Sequence, residues 1–268
     1  MPAKLLVVGG GQMGAAILSG LVANGWAEPS ELAVVEPVAE RRAALALEHD
    51  GLAVHESPAA GQVDEAGGAV LAVKPDVAET ALRRVGAAGV TRVLSIVAGM
   101  QTQRLESALP EGAVVVRAMP NTPALVGAGV SAISGGSNAH AADLEWAESV
   151  LGSLGVVVRL PERHLDAVTG LSGSGPAYVF LVAEALIEAG VLTGLPRDVS
   201  RTLVAETLYG SAKRLTSSGE DPAALRAQVT SPGGTTAAGV RALEQHAVRA
   251  AFIDAVIAAT ERSRQLGR

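Results

Sequence analysis

The apolar run Lys4-Leu-Leu-Val-Val8 leads directly into Gly9-Gly-Gly11-Gln-Met-Gly14, and a helical period opens at Gln12. A strand that enters G-x-G-x-x-G and leaves it as a helix has a specific physical use. The first glycine permits a tight turn, the second lets the backbone approach a pyrophosphate, and the third lets the helix close on the strand. The helix start offers unpaired N–H groups and the positive end of its dipole to an anion. A glycine-rich turn without a ligand satisfies the spacing alone, but the strand and helix around it favour a dinucleotide. Gly9, Gly11, Gln12, Met13 and Gly14 are therefore candidate contacts to NADPH or NADH.

The pattern repeats. Lys4–Val8, Leu32–Glu36, Ala69–Val73, Arg92–Val97 and Val114–Ala118 read as strands. Helices are expected at Gln12–Asn24, Val38–His49, Val77–Val85 and Thr102–Leu109. Alternation of this kind builds a parallel sheet covered on both faces. After about Arg163 only helical segments follow, at Pro176–Val191, Pro196–Ser217, Pro222–Val229 and Ala237–Arg264, with prolines suited to first turns. The expected class is α/β: a Rossmann-type doubly wound sheet over residues 1–161, then an all-helical domain over 162–268. The C-terminal helices are apolar on more than one face, which predicts a subunit interface and at least a homodimer.

Composition removes several alternatives. With no cysteine, thiolate nucleophiles, disulfides and Cys-based metal sites are excluded. A net charge of -6 without a long basic run argues against nucleic acid as a partner. The most apolar stretch, Ala177 to Leu192, is interrupted by Glu184 and Glu188, so no membrane span is expected. No export signal is read at the first residues, and a cytoplasmic location is expected. The five histidines are scattered without metal-ligand spacing, and no metal is expected.

Glu36 ends the second strand 22 residues beyond Gly14, where an acidic side chain would accept hydrogen bonds from the adenosine ribose and repel a 2′-phosphate. Arg41 and Arg42 follow closely and could instead serve such a phosphate; all three could equally be the solvated start of a helix. Ala72-Val73-Lys74-Pro75 ends another strand at the carboxyl edge of the sheet, where open α/β folds bind ligands. Arg117-Ala-Met-Pro-Asn-Thr-Pro123 reaches the same edge and adds Asn121 to the cofactor candidates. Ser231-Pro-Gly-Gly-Thr-Thr236 would form a nest of backbone N–H groups at a helix start, suited to a carboxylate.

Together with Thr169-Gly-Leu-Ser-Gly-Ser-Gly-Pro-Ala-Tyr178, these segments resemble the pyrroline-5-carboxylate reductases over essentially the whole chain. The resemblance implies NAD(P)H-dependent reduction of the cyclic imine 1-pyrroline-5-carboxylate to L-proline, the last step of proline biosynthesis. It places Gly9 to Gly14, Ala72 to Pro75, Ala98 and Gln228 at the cofactor. Glu162, Ser231, Gly233, Gly234, Thr235 and Thr236 are placed at the substrate, and assembly is expected as a dimer or a ring of dimers. Many relatives carry an asparagine near the position of Ala59, and its absence here, with Glu36, leaves the cofactor preference open.

Hydride arriving at the imine carbon requires a proton at nitrogen but no strong base, which suits a chain without a Ser-His-Asp set. Thr236, a donor within the anchoring motif, is the candidate proton relay. Two rivals remain. A β-hydroxyacid dehydrogenase shares the glycine spacing of Gly170, Gly173 and Gly175, but Val179 and Ala183 stand where that family carries its lysine and asparagine. A non-catalytic nucleotide sensor would bind dinucleotide without turnover and leaves Ser231–Thr236 without a purpose.

Overall fold

A computed structural model describes residues 2–267, with backbone alone at 65 and 66. Eight strands form one sheet: β1 Ala3–Val8, β2 Leu32–Val35, β3 Ala53–His55, β4 Val63–Leu71, β5 Arg92–Ser95, β6 Val114–Met119, β7 Gly129–Gly135 and β8 Gly155–Arg159. Their order is β3-β2-β1-β4-β5-β6-β7-β8, parallel except that β6 and β7 pair antiparallel. The order reverses beside β1, so the crevice between its neighbours β2 and β4 is the topological switch point.

Burial on both faces explains the unbroken apolar reading of β1. Leu5 and Val7 join a core with Ile17, Leu18 and Leu21, whereas Leu6 and Val8 join a second core with Leu82 and Val85. The covering helices are α1 Gln12–Ala23, α2 Ala39–Glu48, α3 Pro75–Ala87, α4 Thr102–Glu106 and α5 Ala141–Gly152. Three strands, β3, β7 and β8, and the helix α5 come in addition to the elements expected from the sequence.

The remaining helices are α6 Leu165–Val168, α7 Gly175–Leu192, α8 Arg197–Ser218, α9 Pro222–Gln228, α10 Thr235–Gln245 and α11 Val248–Leu266. Pro222 opens α9 at its first turn as expected, and Asp221 caps that helix by accepting from Ala223 N. The single helix expected over Ala237–Arg264 is instead two. Ala247 sits between them with φ 54°, a left-handed conformation that ends the first helix at a residue with a Cβ. Ala247→Gly should therefore raise the unfolding free energy by about 0.5–1 kcal/mol, read as a higher denaturant midpoint.

The chain divides into two compact units, one of residues 1–174 with 257–268 and one of residues 175–256. This division lies beyond the expected boundary at 161/162, because the turns after β8 belong with the sheet. Leu165 is fully buried, and Ser263 Oγ donates to Asp166 Oδ1 at 2.7 Å. The run 162–192 is long and apolar enough to cross a membrane by length and composition. Within it, Glu184 and Glu188 lie on the helix α7.

Candidate active site

In the first unit, the carboxyl ends of β1, β4 and β5 bring three of the sequence segments together. Ala72 N donates to Val8 O at 2.8 Å and Ile96 N to Leu71 O at 3.1 Å. Gly9 has φ 104°, and a Cβ on it would lie 2.5 Å from Ala72 O. A Cβ on Gly14 would overlap the Gly9 carbonyl, whereas nothing lies within 4 Å of the equivalent point on Gly11. Thus Gly9 and Gly14 let the turn close on β4 and on itself, and Gly11 leaves open space.

Gly11 is also the N-cap of α1 and has no side-chain cap, so the first-turn amides face that space. This fits a pyrophosphate: a bare loop, a helix start of twelve residues and no side chain in between. Gln12 is exposed, whereas Met13 is half-buried against the core below. Lys74 is the exposed N-cap of α3, and Ala98 is exposed after β5.

Glu36 ends β2 buried, at 3% exposure. Its Oε2 accepts from Gly10 N and its Oε1 from Val38 N, both at 2.9 Å. It therefore braces the glycine turn from beneath. Arg42 Nη1 donates to the Glu36 and Pro37 carbonyls at 2.9 and 2.8 Å, and its other nitrogen lies 3.8 Å from Glu56. Beside the turn lies a cavity of about 330 Å³, walled by Val8, Gly9, Val35, Pro58, Val73 and Val77. The sequence reading named the 56–60 loop there but missed the wall that α3 supplies.

A second cluster lies at the start of α4. Glu162 Oε1 accepts from Thr102 N at 2.7 Å and from Arg117 Nη1 at 3.0 Å, and Oε2 accepts from the Thr102 hydroxyl at 2.6 Å. Burial pushes the Glu162 carboxyl up, but the two Thr102 bonds and the Arg117 guanidinium outweigh it and hold the group below the ordinary glutamate range. The sequence reading missed Thr102 and treated Arg117 only as the start of a motif, although a charge inside an apolar strand already asks for a partner. Asn121 is similarly committed: Nδ2 donates to Ser172 O at 3.2 Å and Oδ1 accepts from Val130 N at 3.0 Å.

In the second unit, Gly233 has φ 71° and Gly234 N donates to Ser231 O at 3.0 Å, closing a tight turn that delivers Gly234 as the N-cap of α10. A Cβ on Gly234 would overlap the Ser231 hydroxyl. The cap again has no side-chain bond, leaving the first-turn amides of Thr235 and Thr236 without an intrahelical acceptor. Gln228 sits at the end of α9, its amide engaged by Arg214 and Glu220.

Residues 162–266 match a family model described as pyrroline-5-carboxylate reductase dimerisation, and residues 4–99 match one described as NADP oxidoreductase, coenzyme F420-dependent. A pyrroline-5-carboxylate reductase of Synechocystis is 43% identical over 269 residues, covering 100% of both chains. The chain belongs to the pyrroline-5-carboxylate reductase family.

Solved structures of the family agree with the fold throughout. The Coxiella burnetii pyrroline-5-carboxylate reductase superposes with a TM-score of 0.92 at 31% identity, covering 100% of each chain. The Plasmodium falciparum pyrroline carboxylate reductase, solved with NADP bound, gives 0.86 at 31% identity over 99% of this chain and 98% of that one. The hydroxyacid dehydrogenase alternative is not favoured: Val179 and Ala183 lie on α7 and offer no proton donor or acceptor. Among the described residues no group of three or more His, Asp or Glu is placed to hold a metal ion.

Proposed function

We propose that the chain reduces 1-pyrroline-5-carboxylate to L-proline with NAD(P)H, and that the observation carrying this reading is the pair of open helix starts. One, at Gly11, suits a pyrophosphate in the first unit; the other, at Gly234, suits the substrate carboxylate in the second. When bound, reduced nicotinamide supplies the hydride that arrives at C5 of the imine.

The chain's own residues supply alignment and a proton path. Gly9, Gly11, Gln12 and Gly14 hold the dinucleotide through the amides of α1, with Met13 setting the helix against the core. Ala72, Val73, Lys74, Pro75 and Ala98 border it on the sheet edge. Ser231, Gly233, Gly234 and Thr235 form the turn and helix start that bind the carboxylate. Thr236 donates its hydroxyl to the ring nitrogen, which gains a proton as the hydride reaches carbon. Orientation of this kind can supply several kcal/mol without any side-chain base.

Glu162, Asn121 and Gln228 are assigned indirect parts. Glu162 fixes Thr102, Asn121 joins the turn at Ser172 to β7, and Gln228 steadies the end of α9 before the carboxylate turn. The exposed apolar side chains of the second unit, Phe180, Leu181 and Leu203 among them, are assigned to self-association as a dimer or a ring of dimers, which light scattering reads directly. A cytoplasmic location is assigned on the same reading.

The test follows absorbance at 340 nm with the imine as substrate. Thr236→Ala should lower kcat/KM by about 10–100-fold with unchanged thermal stability, and Thr236→Ser should restore most of it. Wild-type kinetics in the alanine variant would remove the relay role. Dinucleotide binding without imine turnover by the wild type would leave the sensor reading.

A further inference from the structure

The last turns of α11 belong with the sheet: residues 257–266 of that helix fall in the first unit. Spacing of three and then four residues puts Thr260, Ser263 and Gly267 on one helical face. Thr260 and Ser263 are buried on it, and Gly267 N continues the helical pattern by donating to Ser263 O at 3.2 Å. Side chains this small let a neighbouring backbone come close.

The neighbour at Gly267 is Gly99, in the loop that follows β5. A Cβ on Gly267 would overlap the Gly99 carbonyl, and a Cβ on Gly99 would lie 3.3 Å from Gly267 N. Gly99 has φ 77°, so its own conformation already favours glycine. Gly267 is under no such demand, and its missing side chain serves the approach alone.

This contact closes a ring. From Gly99 the chain runs to Thr102, whose amide and hydroxyl are held by Glu162. Four residues beyond Glu162, Asp166 accepts from the Ser263 hydroxyl at 2.7 Å. The last turn of α11 then leads from Ser263 back to Gly267. Ala98, exposed between the buried Val97 and Gly99, stands where this ring meets β5. Its backbone position therefore follows from where the helix ends.

On the reading that Ala98 borders the dinucleotide, we propose that the C-terminal turn of α11 positions the Ala98 loop for the cofactor, with Gly267 as the positioning residue. Gly267 acts through Gly99. A shift of the helix end moves the loop, and the dinucleotide loses affinity.

Equilibrium binding of NADH and of NADPH to the intact protein, followed by nicotinamide fluorescence well below the unfolding temperature, tests this. Gly267→Ala overfills the contact, and a chain that stops at Leu266 removes it. Both should weaken dinucleotide binding by about tenfold. NADH and NADPH should weaken by the same factor, because β1 and β4 separate β5 from β2, the strand at which the two cofactors would differ. A packing role alone would lower Tm in these variants and leave the folded protein with wild-type affinity, which would overturn the proposal. A loss confined to one of the two cofactors would overturn it as well. Ala98→Val tests the underlying reading. If Ala98→Val weakens binding and the two end variants do not, only the positioning role fails; if it too binds as wild type does, the dinucleotide does not border Ala98 and both fail.

Discussion

Gly14→Ala should weaken nicotinamide dinucleotide binding by about a hundredfold or more and lower stability by about 2–4 kcal/mol. The added methyl meets the Gly9 carbonyl, which is backbone and has no rotamer to escape into. Relief requires α1 to move away from the end of β1. The same movement withdraws the first-turn amides from the anion they serve and unseats Ile17, Leu18 and Leu21, all fully buried on that helix. Binding titration and chemical denaturation read the two effects separately. Gly11→Ala is the informative comparison: its methyl meets no protein atom, so stability should hold while binding falls, because the space it fills is the ligand's. Wild-type affinity in both variants would remove the pyrophosphate from this turn.

Glu162→Ala should cost about 2–4 kcal/mol, because it leaves the Arg117 guanidinium, at 5% side-chain exposure, and the Thr102 hydroxyl and amide without their acceptor. Activity should fall with it, since Thr102 begins the helix that follows the exposed Ala98 loop. A residue that only touched substrate would raise KM and leave the denaturation curve in place, so the two measurements separate the roles. The pH dependence has a definite sign. The folded carboxyl is held below its unfolded value, so its contribution is complete above the ordinary glutamate range and is lost as pH falls through the folded value. The stability gap between wild type and Glu162→Gln should therefore be widest near neutrality and close below about pH 4. A gap that stays open as pH falls well below that range would show that the charge does not matter.

How much was legible follows from how local each feature is. β1, β2, β5 and β6 stood out because strands covered on both faces are continuous apolar runs. β3 was missed with only three residues, and β7, Gly-Val-Ser-Ala-Ile-Ser-Gly, is too small and polar to read as a run. The break between α10 and α11 carries no glycine or proline, and only the φ of Ala247 reveals it. The two glycine turns were readable because their work is done within a few residues. Glu162 was expected at the substrate, and what the sequence could not show is that its carboxylate holds Thr102 and Arg117, partners 60 and 45 residues away that no spacing rule connects. Glu36 was expected at the end of its strand and directly follows β2, yet its bond to Gly10 depends on β1 and β2 lying side by side.

The central position of β1 also shapes how the molecule comes into being. β1 leaves the ribosome before one of its two partners, β4, which runs to Leu71 and registers with it at Gly68 to Leu71. Until that stretch has emerged, Leu5 to Val8 expose one whole edge, and the growing chain carries an unmatched apolar strand. Pairings so distant in sequence are slow to find, since the loop between them must be ordered before any contact rewards it. Refolding from denaturant should accordingly be slow for a chain of this size. During that interval an added chaperone would improve yield more than any change at the surface of the finished protein.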